Sequence, residues 1–161
     1  MSFTKSAVLG AIVARLEEEV ALYARAARAA HAEATDEQSR AENKYDTRGL
    51  EASYLARGQS RQAAEVELAL TQFQSLSSKK LPAGAPVDVG ALVQLMEGKE
   101  ATWYWIGPRA GGLEVVVDGV EVTVMTPQSP LGSQLVGREQ GDRLALQLAG
   151  RRREVLLQSV Q

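Results

Sequence analysis

The residues able to do chemistry are few, and most are carboxylates. The chain has no cysteine and a single histidine, His31. That removes disulfides, thiolate metal sites and a cysteine nucleophile together. It leaves His31 with no second imidazole or thiol to complete a metal site, and no Ser/His/Asp set is credible, so His31 reads as a surface residue. No phosphate-cradling glycine loop occurs. What remains is an acidic segment: Asp36, Glu37 and Glu42, then Asn43, Asp46 and Glu51. By residue type alone Asp36, Glu37 and Glu42 read as helix capping plus a solvated acidic turn, and Asp46 and Glu51 as helix-surface charges. Trp103-Tyr104-Trp105 is an aromatic run on a predicted strand, read as core packing or as a partner contact. Ser129-Pro130-Leu131 reads as a strand-to-helix turn with proline near the first helical position. Arg151-Arg152-Arg153 reads as a charged hairpin turn.

The elements that must position these residues divide sharply by composition. All five prolines follow residue 81. A proline inside a helix costs about 3 kcal/mol, so the proline-free first half permits long uninterrupted helices, while the second half is rich in Val, Gly and Pro. With 18 basic and 20 acidic residues the net charge is -2, and neither half is a basic block. Tight, salt-sensitive binding to nucleic acid is therefore not expected. The short apolar run near the start is cut by Glu17, Glu18 and Glu19. No signal peptide, no transmembrane segment and no membrane partner are expected. The absence of cysteine is compatible with the cytoplasm.

In the first half, Leu9, Val13, Leu16, Val20, Tyr23, Ala27, Ala30 and Ala34 recur in alternating steps of four and three. A second series runs Tyr45, Arg48, Ala52, Leu55, Gln59, Gln62, Val66, Ala69, Phe73 and Leu76. This is the 3.5-residue period of a coiled-coil seam, with Arg48, Gln59 and Gln62 as register-setting polar positions. Residues 1–78 are thus expected to form a long antiparallel α-helical coiled-coil hairpin, each arm roughly 45 Å long. Thr35-Asp36-Glu37-Gln38 has the form of a capping box, so helix 2 should begin between Thr35 and Ala41, with an acidic tip near 35–42. Small seam residues bury little area. Leu9, Val13, Leu16, Val66, Phe73 and Leu76 should carry most of the stability.

Residues 79–86 read as a linker, and 87–161 as an antiparallel β-sheet domain with one short helix. Strands are expected at 91–96, 101–106, 112–117, 120–125, 143–148 and 154–160. Asp118-Gly119 between Val-rich runs is a hairpin signal. Leu131, Leu135 and Val136 fall at helical spacing ahead of a Gly141-Asp142 turn.

Two stretches of this domain resemble a known family. Val87-Asp88-Val89-Gly90-Ala91-Leu92-Val93 has the form V-x-x-G-A-x-V. The stretch from Ser129-Pro130-Leu131 through Gly137-Arg138-Glu139-Gln140-Gly141-Asp142 has the form S-P-[IL]-x-x-x-L-[IL]-G-[KR]-x-x-G-D, with Val136 in an aliphatic position. Both are similar to the C-terminal domain of the bacterial GreA/GreB transcript-cleavage factors, of which this chain looks like a divergent member. The resemblance implies a helical hairpin followed by an FKBP-like domain, and a transcription elongation role with RNA polymerase as partner. It implies insertion of the hairpin into the polymerase secondary channel, no enzymatic activity of the protein's own, and a monomer with no stable direct DNA binding. It further implies that tip carboxylates, here Asp36, Glu37 and Glu42, assist cleavage of backtracked RNA. Asp36 and Glu42 would share Mg²⁺ with the polymerase active site, the protein holding no cofactor of its own. Asn43, Ser129, Pro130 and Leu131 would touch the polymerase.

The chain departs from the family at the tip. The cleavage-competent form is G-D-x-S-E-N, and with Glu42-Asn43 aligned, Ser39 stands where the aspartate belongs. An alternative placement puts Asp46 and Glu51 at the tip with Tyr54 after them, but makes helix 1 much longer than helix 2, so the first is preferred. Channel binding is thus better supported than cleavage. A non-cleaving channel modulator or inhibitor, an interaction module unrelated to transcription and, last, a prolyl isomerase are the rival readings.

Overall fold

A computed structural model describes residues 2–35 and 48–161, Arg48 by its backbone alone. The expectations on Asp36, Glu37, Glu42, Asn43, Asp46 and the Arg48 side chain, and on the turn itself, lie outside the described residues. Two long helices, α1 (Lys5–Thr35) and α2 (Arg48–Gln74), come first. Strands β1 (Leu92–Glu97), β2 (Glu100–Ile106), β3 (Glu114–Val117) and β4 (Val120–Met125) follow. The short helix α3 (Gly132–Leu135) then precedes β5 (Arg143–Leu148) and β6 (Arg151–Val160). The chain forms two compact units, Met1–Ala14 with Thr71–Gln161, and Arg15–Leu70. Among the described residues, no helix is long and apolar enough to cross a membrane.

The sheet has six strands in the order β3-β4-β2-β1-β6-β5. All expected strands are present, and Asp118 and Gly119, at φ 51° and 76°, make the two-residue primed turn that the twist of paired strands favours. Two expectations are corrected. The sheet is mixed, because β2 and β4 pair in parallel, Trp103 opposite Val122 through Ile106 opposite Met125. The seven residues between β2 and β3 let the chain step outward, so that β3 becomes the edge and β4 returns alongside β2. Arg151, Arg152 and Arg153 are not a turn. The β5–β6 turn is Ala149-Gly150, both with positive φ, and the arginines lie on β6.

Alternation along the strands gives this unit two covered faces. One carries Val93, Leu95, Ile106, Met125, Leu144, Leu146, Val155 and Leu157, closed by Leu135 of α3. The other carries Leu92, Trp105, Val122 and Val124, all essentially without solvent exposure. Residues from both ends of the helical segment lie against that second face. Phe3 packs on Trp103 with ring centroids 4.7 Å apart. Lys5 Nζ sits 5.6 Å from the Trp105 ring centroid. Phe73 is fully buried, and a Cβ on Gly107 would meet its Cζ at 2.6 Å, so glycine there admits the ring. The start of α1 is fixed by Thr4, whose Oγ1 accepts the Ala7 N–H at 3.1 Å.

The buried face of the helices differs in detail from the expected seam. Leu9, Leu16 and Phe73 are buried, but Val13, Val66 and Leu76 are only half-buried, while Val8 and Ile12 are fully buried. A helix turn covered on more than one side needs a wider apolar face than a coiled-coil stripe. On α2 the inward series is Ala52, Ala56, Gln59, Ala63 and Val66, while Leu55 is 54% exposed and Gln62 is exposed. Thr35 belongs to α1, its hydroxyl directed at the carbonyls of His31 and Ala32. A residue inside one helix does not begin the next, so the capping-box reading is corrected at Thr35.

Candidate functional site

Of the expected site residues, Ser129, Pro130 and Leu131 are described, and the structure brings them together in one short turn. Ser129 Oγ donates to the Thr126 carbonyl at 2.8 Å and accepts the Gly132 N–H at 2.9 Å. The Ser133 N–H reaches the Ser129 carbonyl at 2.9 Å. Ser129 therefore caps the turn into α3 with Pro130 in its first position, where a missing N–H costs nothing. Gly132 is required: a Cβ there would lie 2.0 Å from the Thr126 carbonyl oxygen. Pro130 is exposed, whereas Leu131 is half-buried against the core.

A residue the sequence reading missed pins this turn to the sheet. Gln134 Nε2 donates to the Pro130 carbonyl at 2.6 Å and to the Gln147 carbonyl at 3.0 Å, while its Oε1 accepts the Gln147 N–H at 2.9 Å. One side-chain amide thus satisfies the backbone N–H and C=O of Gln147 on edge strand β5 and holds the proline loop beside it. Only the amide of a glutamine or asparagine offers donor and acceptor side by side, yet nothing in linear spacing joins positions 134 and 147.

Leu131 stands between two hollows. One, about 40 Å³, is lined by Leu95, Thr102, Tyr104, Leu146 and Val155, with Glu97 and Arg153. Arg153 Nε donates to Glu97 Oε1 at 3.2 Å, and Nη2 donates to Oε2, a forked pair. Burial pushes the Tyr104 phenol above its ordinary pKa, and the Arg153 charge pulls it partly back. The other hollow, about 410 Å³, is an apolar groove lined by Gly112, Val124, Met125, Pro130, Leu131 and Leu148 among others. The aromatic run divides between the two faces of the sheet: Trp105 is fully buried on one, and half-buried Tyr104 packs on the other.

The two stretches that carry the family resemblance are joined. The Val87 N–H donates to the Arg138 carbonyl at 2.7 Å, and the Gly137 N–H donates to the Val87 carbonyl at 2.8 Å. Asp142 Oδ2 closes the following turn by accepting the Glu139 N–H at 2.9 Å. Much of the motif is therefore fold-building chemistry, and the Pro130 turn is one of its exposed parts, together with residues 136–141.

In the Arg15–Leu70 unit, α1 and α2 line an open cleft of about 980 Å³. Its walls carry Arg28, His31, Thr35, Ser53, Arg57 and Arg61 over an alanine floor. Among the described residues, no group of three or more His, Asp and Glu could hold a metal ion.

No family model and no curated protein matches the chain. Solved structures do. The GreA factor homolog 1 (Gfh1) protein of Thermus thermophilus is 19% identical with a TM-score of 0.39, over 92% of this chain and 94% of that one. Gfh1 of Thermus aquaticus is 21% identical with a TM-score of 0.40, over 98% and 96%. A further structure, of the transcription factor Gfh1, is 22% identical with a TM-score of 0.40, over 93% of each chain.

Proposed function

We propose that the protein is an accessory factor of RNA polymerase, of the GreA/GreB type, that docks through its β domain and presents its helical hairpin to the secondary channel. One observation carries this reading. The two stretches resembling that family form one hydrogen-bonded assembly, and it presents an exposed proline beside an apolar groove. A rigid apolar element next to a recess is what a protein partner can seat against at low entropic cost. The protein has no catalytic activity of its own in this reading, acts in the cytoplasm as a monomer, and leaves the Mg²⁺ chemistry to the polymerase.

Core polymerase should retain the protein in a pull-down at micromolar concentration. Pro130→Ala should weaken that retention while leaving the thermal midpoint within a few degrees. No retention of the unmodified protein would sink the proposal, and leave a module serving some other partner.

Whether the factor stimulates cleavage or only occupies the channel turns on the tip. Ser39, standing where the family has aspartate, favours a non-cleaving modulator. Stalled backtracked complexes supplied with Mg²⁺ should then bind the protein without shedding short 3′ RNA, and Glu42→Ala should change nothing. Shedding that Glu42→Ala abolishes would restore the cleavage reading. A prolyl isomerase is not supported, because the hollow at Tyr104 is small, about 40 Å³, and has one aromatic wall.

A further inference from the structure

The cleft in the Arg15–Leu70 unit brings together basic groups that are scattered in the sequence. Arg28 and His31 stand one turn apart on α1, and Arg57 and Arg61 one turn apart on α2. All four line the same cavity with the hydroxyls of Thr35, Ser53 and Ser60, and among the described residues no carboxylate lines it. Among the described residues, Arg28, Arg57 and Arg61 form no salt bridge, although Arg15 on the same unit pairs with Glu18 and Glu19. Like charges one turn apart destabilise a helix. Arg57 and Arg61, one turn apart, thus carry a repulsion that a bound anion would relieve, while the Arg57 guanidinium rests over the Tyr54 ring, 5.4 Å from its centroid. The alanines at 27, 32 and 56 leave the space open.

We propose that this cleft binds an oligophosphate, the two or three linked phosphates of a nucleotide or of inorganic triphosphate. Guanidiniums match phosphate oxygens with paired, charge-assisted hydrogen bonds, and three of them on two walls suit a compact, multiply charged anion better than a single phosphate. A nucleic-acid strand fits less well. Among the described residues, no aromatic side chain lines the cleft to stack a base. Residues 15–70 carry eight basic against eleven acidic groups, so a long polyanion leaving the cleft would meet repulsion. The inference does not depend on polymerase binding, because the protein alone tests it.

Titration calorimetry of the full chain, without divalent metal, would use inorganic triphosphate, ATP, inorganic phosphate and a short thymidine oligonucleotide lacking terminal phosphates. Triphosphate should bind saturably and at least about tenfold more tightly than phosphate. Arg57→Gln and Arg61→Gln should each weaken it by about tenfold or more. Arg15→Gln, away from the cleft, should leave it unchanged. Both cleft arginines are exposed, so helicity by circular dichroism should survive in the variants. ATP matching triphosphate would assign a phosphate-only site, and tighter ATP a nucleotide site. No saturation at millimolar triphosphate, undiminished affinity in the Arg57 and Arg61 variants, or tighter binding of the oligonucleotide would each overturn the proposal.

Discussion

The two units of this chain hold themselves together with different materials. In the unit formed by Met1–Ala14 and Thr71–Gln161, the fully buried side chains include Trp105, Phe73, Ile12, Leu92, Ile106, Leu135 and Leu157. Among the described residues of Arg15–Leu70 the buried apolar set is Leu16, Ala30, Ala52, Ala56 and Ala69, while Leu22, Leu50, Tyr54, Leu55 and Leu68 are exposed. Burying a large apolar side chain yields about 1.5–3 kcal/mol, and an alanine methyl a fraction of that. The alanine-lined helices should therefore open locally at a lower free-energy cost than the sheet. The same thinness leaves room for a cleft of about 980 Å³, whereas the hollows described in the sheet unit are smaller, about 520 Å³ or less. One unit is built to be rigid, the other to leave space between its helices.

The largest expected effect tests the rigid side of this contrast. Phe73→Ala removes a fully buried ring that fills the space Gly107 leaves open. Denaturant unfolding should show a loss of about 3–5 kcal/mol, and a loss under about 1 kcal/mol would erase the distinction. Next comes Gly132→Ala, which drives a methyl into the Thr126 carbonyl and Ser129 Oγ, 2.0 and 2.8 Å from an ideal Cβ. Overpacking of this kind costs about 1–3 kcal/mol. It should also disturb the Pro130 turn, visible as shifted amide resonances across 126–135. Wild-type stability in that variant would mean the turn is softer than its hydrogen bonds imply.

The alanine-lined unit is tested by Ala56→Gly. Glycine costs a helix interior about 1 kcal/mol, and here local opening should absorb it. Hydrogen exchange should quicken along the described part of α2 near residue 56 and stay unchanged in β1, β2 and β6. Equal acceleration in both units would show that they unfold as one, and the comparison would fail.

The contrast explains which parts of the structure the sequence could announce. Strands with alternating valines and a turn written Asp118-Gly119 declare themselves, because period and turn chemistry are local. Leu9, Leu16 and Phe73 were legible because the two 3.5-residue stripes include them. Val8 and Ile12 were not, since their burial comes from elements distant in sequence. Leu55 looked inward by period alone, but at Ala52 a step of three or of four is equally regular, and the structure takes the step to Ala56. The parallel β2–β4 pairing, the Gln134 clamp and the gathering of Arg28, Arg57 and Arg61 are all non-local. No spacing rule carries them.

Lys5, the buried charge among the described residues, probes the rigid unit with the smallest expected effect. The side chain is 3% exposed, and its Nζ donates to the Lys79 carbonyl at 3.0 Å. Burial lowers its pKa from the ordinary 10.5, so the folded protein sheds this proton at a lower pH than the unfolded chain does. Between those two values the unfolded state binds more protons, and stability must rise with pH. Below both values the buried ammonium costs stability by a constant amount. Lys5→Met keeps the apolar stem and removes the proton, so its stability should lack this rise. Urea unfolding of both proteins, stepped from neutral pH to 10.5, should show the wild type gaining on the variant towards the alkaline end. Parallel profiles would mean that the ammonium reaches water as readily as an exposed lysine does, and that the layer against Trp105 is less tightly closed than its burial implies.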